Sequence, residues 1–145
     1  MMKDASGAGG RRFSRIEMND GRRSFGQHAE SEAERYLRRK GYRILARNVR
    51  SSGGEIDLVA QDGPVLVFIE VKARRTSAFG GAVYAVHERK RMRLVRLAAQ
   101  YLARHRLRQP ACRFDVVLLQ DGEHEGRQIQ HIENAFEVPG EDLRW

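Results

Sequence analysis

Apolar residues recur first at helical spacing. From Ser24, a residue able to cap a helix, Ala29, Ala33, Tyr36 and Leu37 fall on one face until Gly41, where a helix is predicted to end. The period then shortens. Tyr42–Arg50 reads as a first strand, and Ser51-Ser52-Gly53-Gly54 is a turn signal. Glu55–Ala60 reads as a second strand, Gln61-Asp62-Gly63-Pro64 as a tight turn, and Val65–Lys72 as a third strand. That third strand is so apolar through Ile69 that a central place in a sheet is expected. After a loop over Thr76–Gly81, helical spacing returns from about His87 to Arg106, with Leu94, Leu97, Ala98, Tyr101 and Leu102 inward and arginines outward. Arg113–Leu119 predicts a fourth strand, Asp121–Gly126 a polar hairpin, and Gln128–Asn134 a short fifth strand. The order is that of an α/β domain, a mixed central β-sheet flanked by α-helices.

Residues 1–23 are rich in Gly, Arg and Ser without apolar periodicity and read as a flexible basic arm. The domain is expected over 24–137 and a C-terminal tail over 138–145. Formal net charge is +8 and pI about 10.4, with Arg far outnumbering Lys. The planar guanidinium fork suits phosphate oxygens, so a polyanion, nucleic acid first, is the expected partner, with a plain solvated basic face as the competing reading. No run approaches the ~18 apolar residues of a membrane span. Arg11-Arg12-Phe13 lacks the apolar stretch of an export signal, so the cytoplasm is the default compartment. Cys112 is the single cysteine, lies among apolar neighbours and reads as an inert buried thiol. His28, His87, His105, His124 and His131 show no zinc-ligand spacing and read as structural or exposed.

Strand alternation points to the chemistry. In Phe68-Ile69-Glu70-Val71-Lys72, Glu70 and Lys72 share one side and Ile69 and Val71 the other. Asp57, between Ile56 and Leu58, is expected to face away from both. If the two strands pair through the Asp62-Gly63 turn, Asp57 and Glu70 can meet. Carboxylates that close repel unless a cation lies between them or one keeps its proton. A hard ion, Mg²⁺ or Mn²⁺, fits Asp57, Glu70 and the backbone carbonyl of Val71. Such an ion would activate water and polarise a phosphoryl oxygen, while Lys72 would orient the water or stabilise developing charge. Glu55 shares the strand face of Asp57 as a further acid. Arg74 and Arg75 follow directly and either receive phosphates or are ordinary loop charges. A plain surface ion pair between Glu70 and Lys72 is the competing reading. No nucleophilic triad, phosphate-binding loop or dinucleotide fingerprint is present.

Asp57 followed after twelve residues by Glu70-Val71-Lys72 resembles the PD-(D/E)xK core of many restriction enzymes and of archaeal Holliday-junction resolvases. Ala29-Glu30, Tyr36-Leu37, Gly41-Tyr42, Gly54–Val59, Phe68–Arg74, Arg113–Val117 and His131–Phe136 together resemble the bacterial YraN-like family, proteins predicted to be endonucleases. The resemblance implies a restriction endonuclease-like core, a catalytic role for Glu30 on the first helix, and a phosphate contact by Lys90, where family members also carry Lys. Resolvases of this fold act as dimers, so a homodimer is an expectation. The leading expectation is a metal-dependent endonuclease hydrolysing phosphodiester bonds in DNA, with branched or damaged DNA among the candidate substrates. The alternatives are a non-catalytic nucleic-acid-binding module and an interaction protein built on the same scaffold.

Overall fold

The structure is a computed structural model that describes residues 28–74, 88–108, 110–122 and 126–137. The proposed arm, the Ser24 cap, the loop from Thr76, Arg75 and the tail lie outside those residues. Helix α1 (described over 28–39) is followed by strands β1 (Arg43–Ser51), β2 (Gly54–Asp62) and β3 (Val65–Arg74). Helix α2 (Glu88–Arg104) and strands β4 (Cys112–Gly122) and β5 (Gly126–Ile132) complete the chain order. The five strands form one sheet in the order β1-β2-β3-β4-β5, antiparallel except for the β3–β4 pair. That parallel pair needs a crossover, and α2 lies within it. The mixed α/β sheet flanked by helices is therefore the fold.

Both faces of the sheet are covered. Leu66, Phe68, Phe114, Val116 and Leu118 pack with Leu94, Leu97, Ala98, Tyr101 and Leu102 of α2. On the other face Val67, Ile69, Val117 and Leu119 pack with Ala29, Ala33 and Leu37 of α1. β3 is apolar on both sides for this reason, as a central strand must be. Both helices stop at a residue with positive φ. At Gly41 (φ 101°) the Tyr42 N–H reaches back to the Leu37 carbonyl at 2.9 Å. At Arg106 (φ 55°) Leu107 N–H reaches Leu102 at 2.9 Å. Each is a left-handed cap that satisfies otherwise orphaned carbonyls.

The family segments Arg113–Val117 and His131–Phe136 lock one end of this frame. Asp115 has no side-chain exposure. It accepts from Arg113 Nε (2.9 Å), from the Asn134 backbone N–H (3.0 Å) and from His131, whose Nε2 lies 2.8 Å away. Lys40 Nζ lies 2.8 Å from His131 Nδ1, and Arg113 Nη2 donates to the Tyr42 hydroxyl at 2.6 Å. The Ala135 N–H bonds the Phe114 carbonyl at 2.7 Å, and Phe136 stacks on Phe114 with ring centroids 4.8 Å apart. A buried carboxylate survives only with this many donors. Burial pushes the Asp115 carboxyl upward, but bonds from His131, Arg113 and Asn134 outweigh it and hold the group below its ordinary value. His131 is thus structural.

Candidate active site at the fork of the sheet

The β2–β3 ladder runs only from Asp62↔Val65 to Leu58↔Ile69. Beyond it β3 stays with β4 as far as Arg74↔Gln120, while β2 stays with β1 as far as Ser51↔Gly54. The sheet forks there, and Asp57 bridges the gap: its Oδ2 accepts the Val71 N–H at 2.8 Å. Alternation breaks at this residue. Ile56 packs on the α2 face and Leu58 on the α1 face, although strict alternation would put them together. On β1 the register shifts between Ile44 and Ala46, and Asn48, across from Asp57, has φ 49°. Asn tolerates that left-handed conformation better than most residues.

Glu30 reaches the fork from α1 and stands beside the Asp57 and Asn48 side chains. Glu55, held by Arg50 Nε at 2.9 Å, arrives from the start of β2. Glu30, Glu55 and Asp57 each offer one carboxylate oxygen, and all three oxygens lie within 4.8 Å of one another. Gly54 (φ 149°) directly precedes Glu55, and a Cβ there would lie 3.3 Å from Leu97 Cδ1 of α2. Glycine lets β2 begin this close to the helix.

Desolvation, then the charges of Asp57 and Glu55, push Glu30 up to about 7. Burial pushes Asp57 up to about 6, with Glu70 and Glu55 adding to it against the pull of the Val71 N–H. Near neutral pH such groups are costly to ionise together. A divalent cation removes that cost, so the donor set fits Mg²⁺ or Mn²⁺.

The remaining expected residues stand around the same fork. Glu70 forms an ion pair with Lys90 of α2, both side chains being largely covered. Val71 contributes its N–H to Asp57. Lys72 is half-buried two residues beyond Glu70, and half-buried Arg74 ends β3. Glu30 and Asp57 are thus brought together with Glu55, and Glu70 and Lys90 are near enough to act on Asp57.

Asn48 escaped sequence reasoning, although an Asn in an otherwise strand-like run signals a backbone irregularity. Also missed was Glu34 of α1, which holds Arg47 through two bonds of 2.6 Å and Arg38 at 2.8 Å. Alternation could place neither Asn48 nor the Arg47 that Glu34 holds, because the β1 register shift resets it.

Several known proteins are similar to this chain. A UPF0102 protein of Symbiobacterium thermophilum is 50% identical over 79% of this chain and 97% of its own. Another from Pseudomonas putida F1 is 47% identical over 77% and 92%, and one from Pelotomaculum thermopropionicum is 46% identical over 82% and 100%. Among solved structures, Pyrococcus furiosus SfsA in complex with Ca²⁺ is similar at a TM-score of 0.37 and 16% identity, covering 80% of this chain and 65% of that one. Among the described residues no helix is long and apolar enough to cross a membrane. Residues 29–119, which include every element from α1 to most of β4, match Uncharacterised protein family UPF0102, and the chain belongs to that family.

Proposed function

We propose that this protein is a metal-dependent endonuclease that hydrolyses phosphodiester bonds in DNA, with a PD-(D/E)xK-type site at the sheet fork. The observation that carries the reading is the meeting of Glu30, Glu55 and Asp57 from two elements, with Glu70 and Lys72 following on β3. Glu30, Glu55 and Asp57 would hold the cation, with Glu70 beside them once Lys90 releases it. When bound, Mg²⁺ or Mn²⁺ supplies a Lewis acid for the phosphoryl oxygen and lowers the pKa of water. Lys72 provides a positive charge on the same strand, where negative charge develops on the phosphate. Lys90, once exchanged from Glu70, and Arg74 would contact neighbouring phosphates. Val71 N–H keeps Asp57 oriented. The basic balance of +8 draws the polyanion to the site.

The test is cleavage of fluorescent single-stranded, duplex, flapped and four-way-junction DNA and of single-stranded RNA, each with Mg²⁺, Mn²⁺ or EDTA. Asp57→Ala and Lys72→Ala run in parallel. Metal-dependent cutting by the wild type that disappears in both variants is expected. Tight binding without cutting, unchanged in the variants, would replace this reading with a nucleic-acid-binding module.

A further inference from the structure

A cleft of about 310 Å³ opens between α1 and β1, lined by Glu30, Ser31, Glu34, Arg47, Asn48 and Leu58. Glu30 belongs both to this cleft and to the acidic trio, so the cleft leads into the fork. Among the described residues its lining is polar apart from Leu58 and holds no aromatic ring on which a base could stack. Such a lining suits sugar and phosphate better than a nucleobase.

Glu34 organises the rim. Its side chain is 13% exposed, whereas Arg47 and Arg38 are 57% and 50% exposed. Arg47 gives Glu34 one bond from Nε and one from Nη2. Arg38 also uses Nε and Nη2, both on Oε2. The remaining guanidinium donors, Nη1 above all, are not used by Glu34, and one carboxylate between two guanidinium groups leaves a net positive charge. Hydrogen bonds from Arg47 hold the Glu34 carboxyl down at about 2 against the effect of burial, so the anchor stays ionised.

We infer that this cleft is the track for the sugar-phosphate backbone of a nucleic-acid strand next to the bond to be cut, with Arg47 as its phosphate clamp and Glu34 as the positioning residue for Arg47. The inference rests on the nuclease reading for the direction of the strand toward Glu30, and its test reads binding instead of turnover.

The experiment uses the full chain carrying Asp57→Asn to prevent cutting, in EDTA, with a fluorescein-labelled single-stranded DNA followed by anisotropy from roughly 50 to 200 mM KCl. Arg47→Gln is expected to weaken binding about tenfold and to lower the salt slope by about 0.7, the loss of one phosphate contact on a single strand. Arg47→Lys keeps the charge and the slope but loses the fork, so its affinity falls in between. Arg108→Gln makes the same charge change just before β4, at the end of the β3–β4 pair away from the fork, and should change affinity less than about twofold. Thermal melts check that each variant is folded, and loss of an exposed ion pair leaves the fold standing. Equal effects of Arg47→Gln and Arg108→Gln would overturn the clamp, as would a wild-type cleft that binds no DNA. If Arg47→Gln binds normally while Asp57→Asn abolishes cutting, the clamp fails and the nuclease stands. If Arg47→Gln loses binding in a protein that never cuts, the clamp stands and the nuclease fails.

Discussion

Asp57→Asn should make this protein more stable at alkaline pH while removing one ligand of the proposed cation site. Asp57 rises from 3.8 to about 6 and Glu30 from 4.5 to about 7, in each case mostly through burial. A carboxyl raised in the folded state binds protons that the unfolded chain has already released. Stability is therefore intact below the unfolded values of 3.8 and 4.5 and declines as pH climbs through about 6 and 7. At roughly 1.4 kcal/mol per pKa unit, ionised Asp57 costs the fold about 3 kcal/mol at pH 8. Asparagine still accepts the Val71 N–H through its carbonyl, as the protonated acid does, and the pull of that bond on the ionised form is already contained in the value of about 6. The variant therefore gains up to about 3 kcal/mol at pH 8. Because pH 5 lies between 3.8 and about 6, roughly half of that is already lost to the wild type there, so urea unfolding should show the variant ahead at pH 5 and by about twice as much at pH 8. Saturating Mn²⁺ at pH 8 should restore the wild type, by about 2.7 kcal/mol at a hundredfold excess over Kd, and leave the variant unmoved. A variant less stable than wild type at both pH values would refute the reasoning, as would a wild type whose stability is flat across that range.

Other substitutions probe the frame. Gly54→Ala forces a side chain into φ 149° and against Leu97, and should cost about 1–3 kcal/mol in urea unfolding. Asp115→Ala leaves Arg113 and His131 without their shared acceptor and should cost about 3–5 kcal/mol. Because Asp115 is held low, its contribution is present above 3.8 and is lost as pH falls through the lower folded value, so the variant's melting temperature should depend less on acid than the wild type's. Burial pushes the Cys112 thiol up to about 11, and a disulfide reagent near pH 8 should label it far more slowly than a free thiol, with full reactivity appearing in denaturant.

The sequence by itself determined the order and type of the elements. Apolar spacing at 29, 33 and 37, and again at 94, 97, 98, 101 and 102, reports helices with one buried face, and those residues are buried. The unbroken apolar run before Glu70 reports a strand covered on both sides. Ends were legible only roughly: β4 begins at Cys112 and runs to Gly122, beyond the expected Leu119, because pairing with β5 carries it on. Asp57, Glu70 and Lys72 stood out because charges at the end of an apolar strand need a reason.

Tertiary structure decided which of those charges meet. Alternation assumes an unbroken pleat, and the pleat breaks where Asn48 takes a positive φ and Ile56 and Leu58 turn to opposite faces. That break, with the end of the β2–β3 ladder at Leu58, brings Asp57 to Glu30 and Glu55 and leaves Glu70 facing Lys90. The same holds for Glu34 with Arg47 and for Asp115 with His131, pairs separated by 13 and 16 residues. Local spacing encodes which face a side chain takes within one element. Contacts between elements depend on where strands pair, part and bulge, and that is settled only when the two cores pack against the sheet.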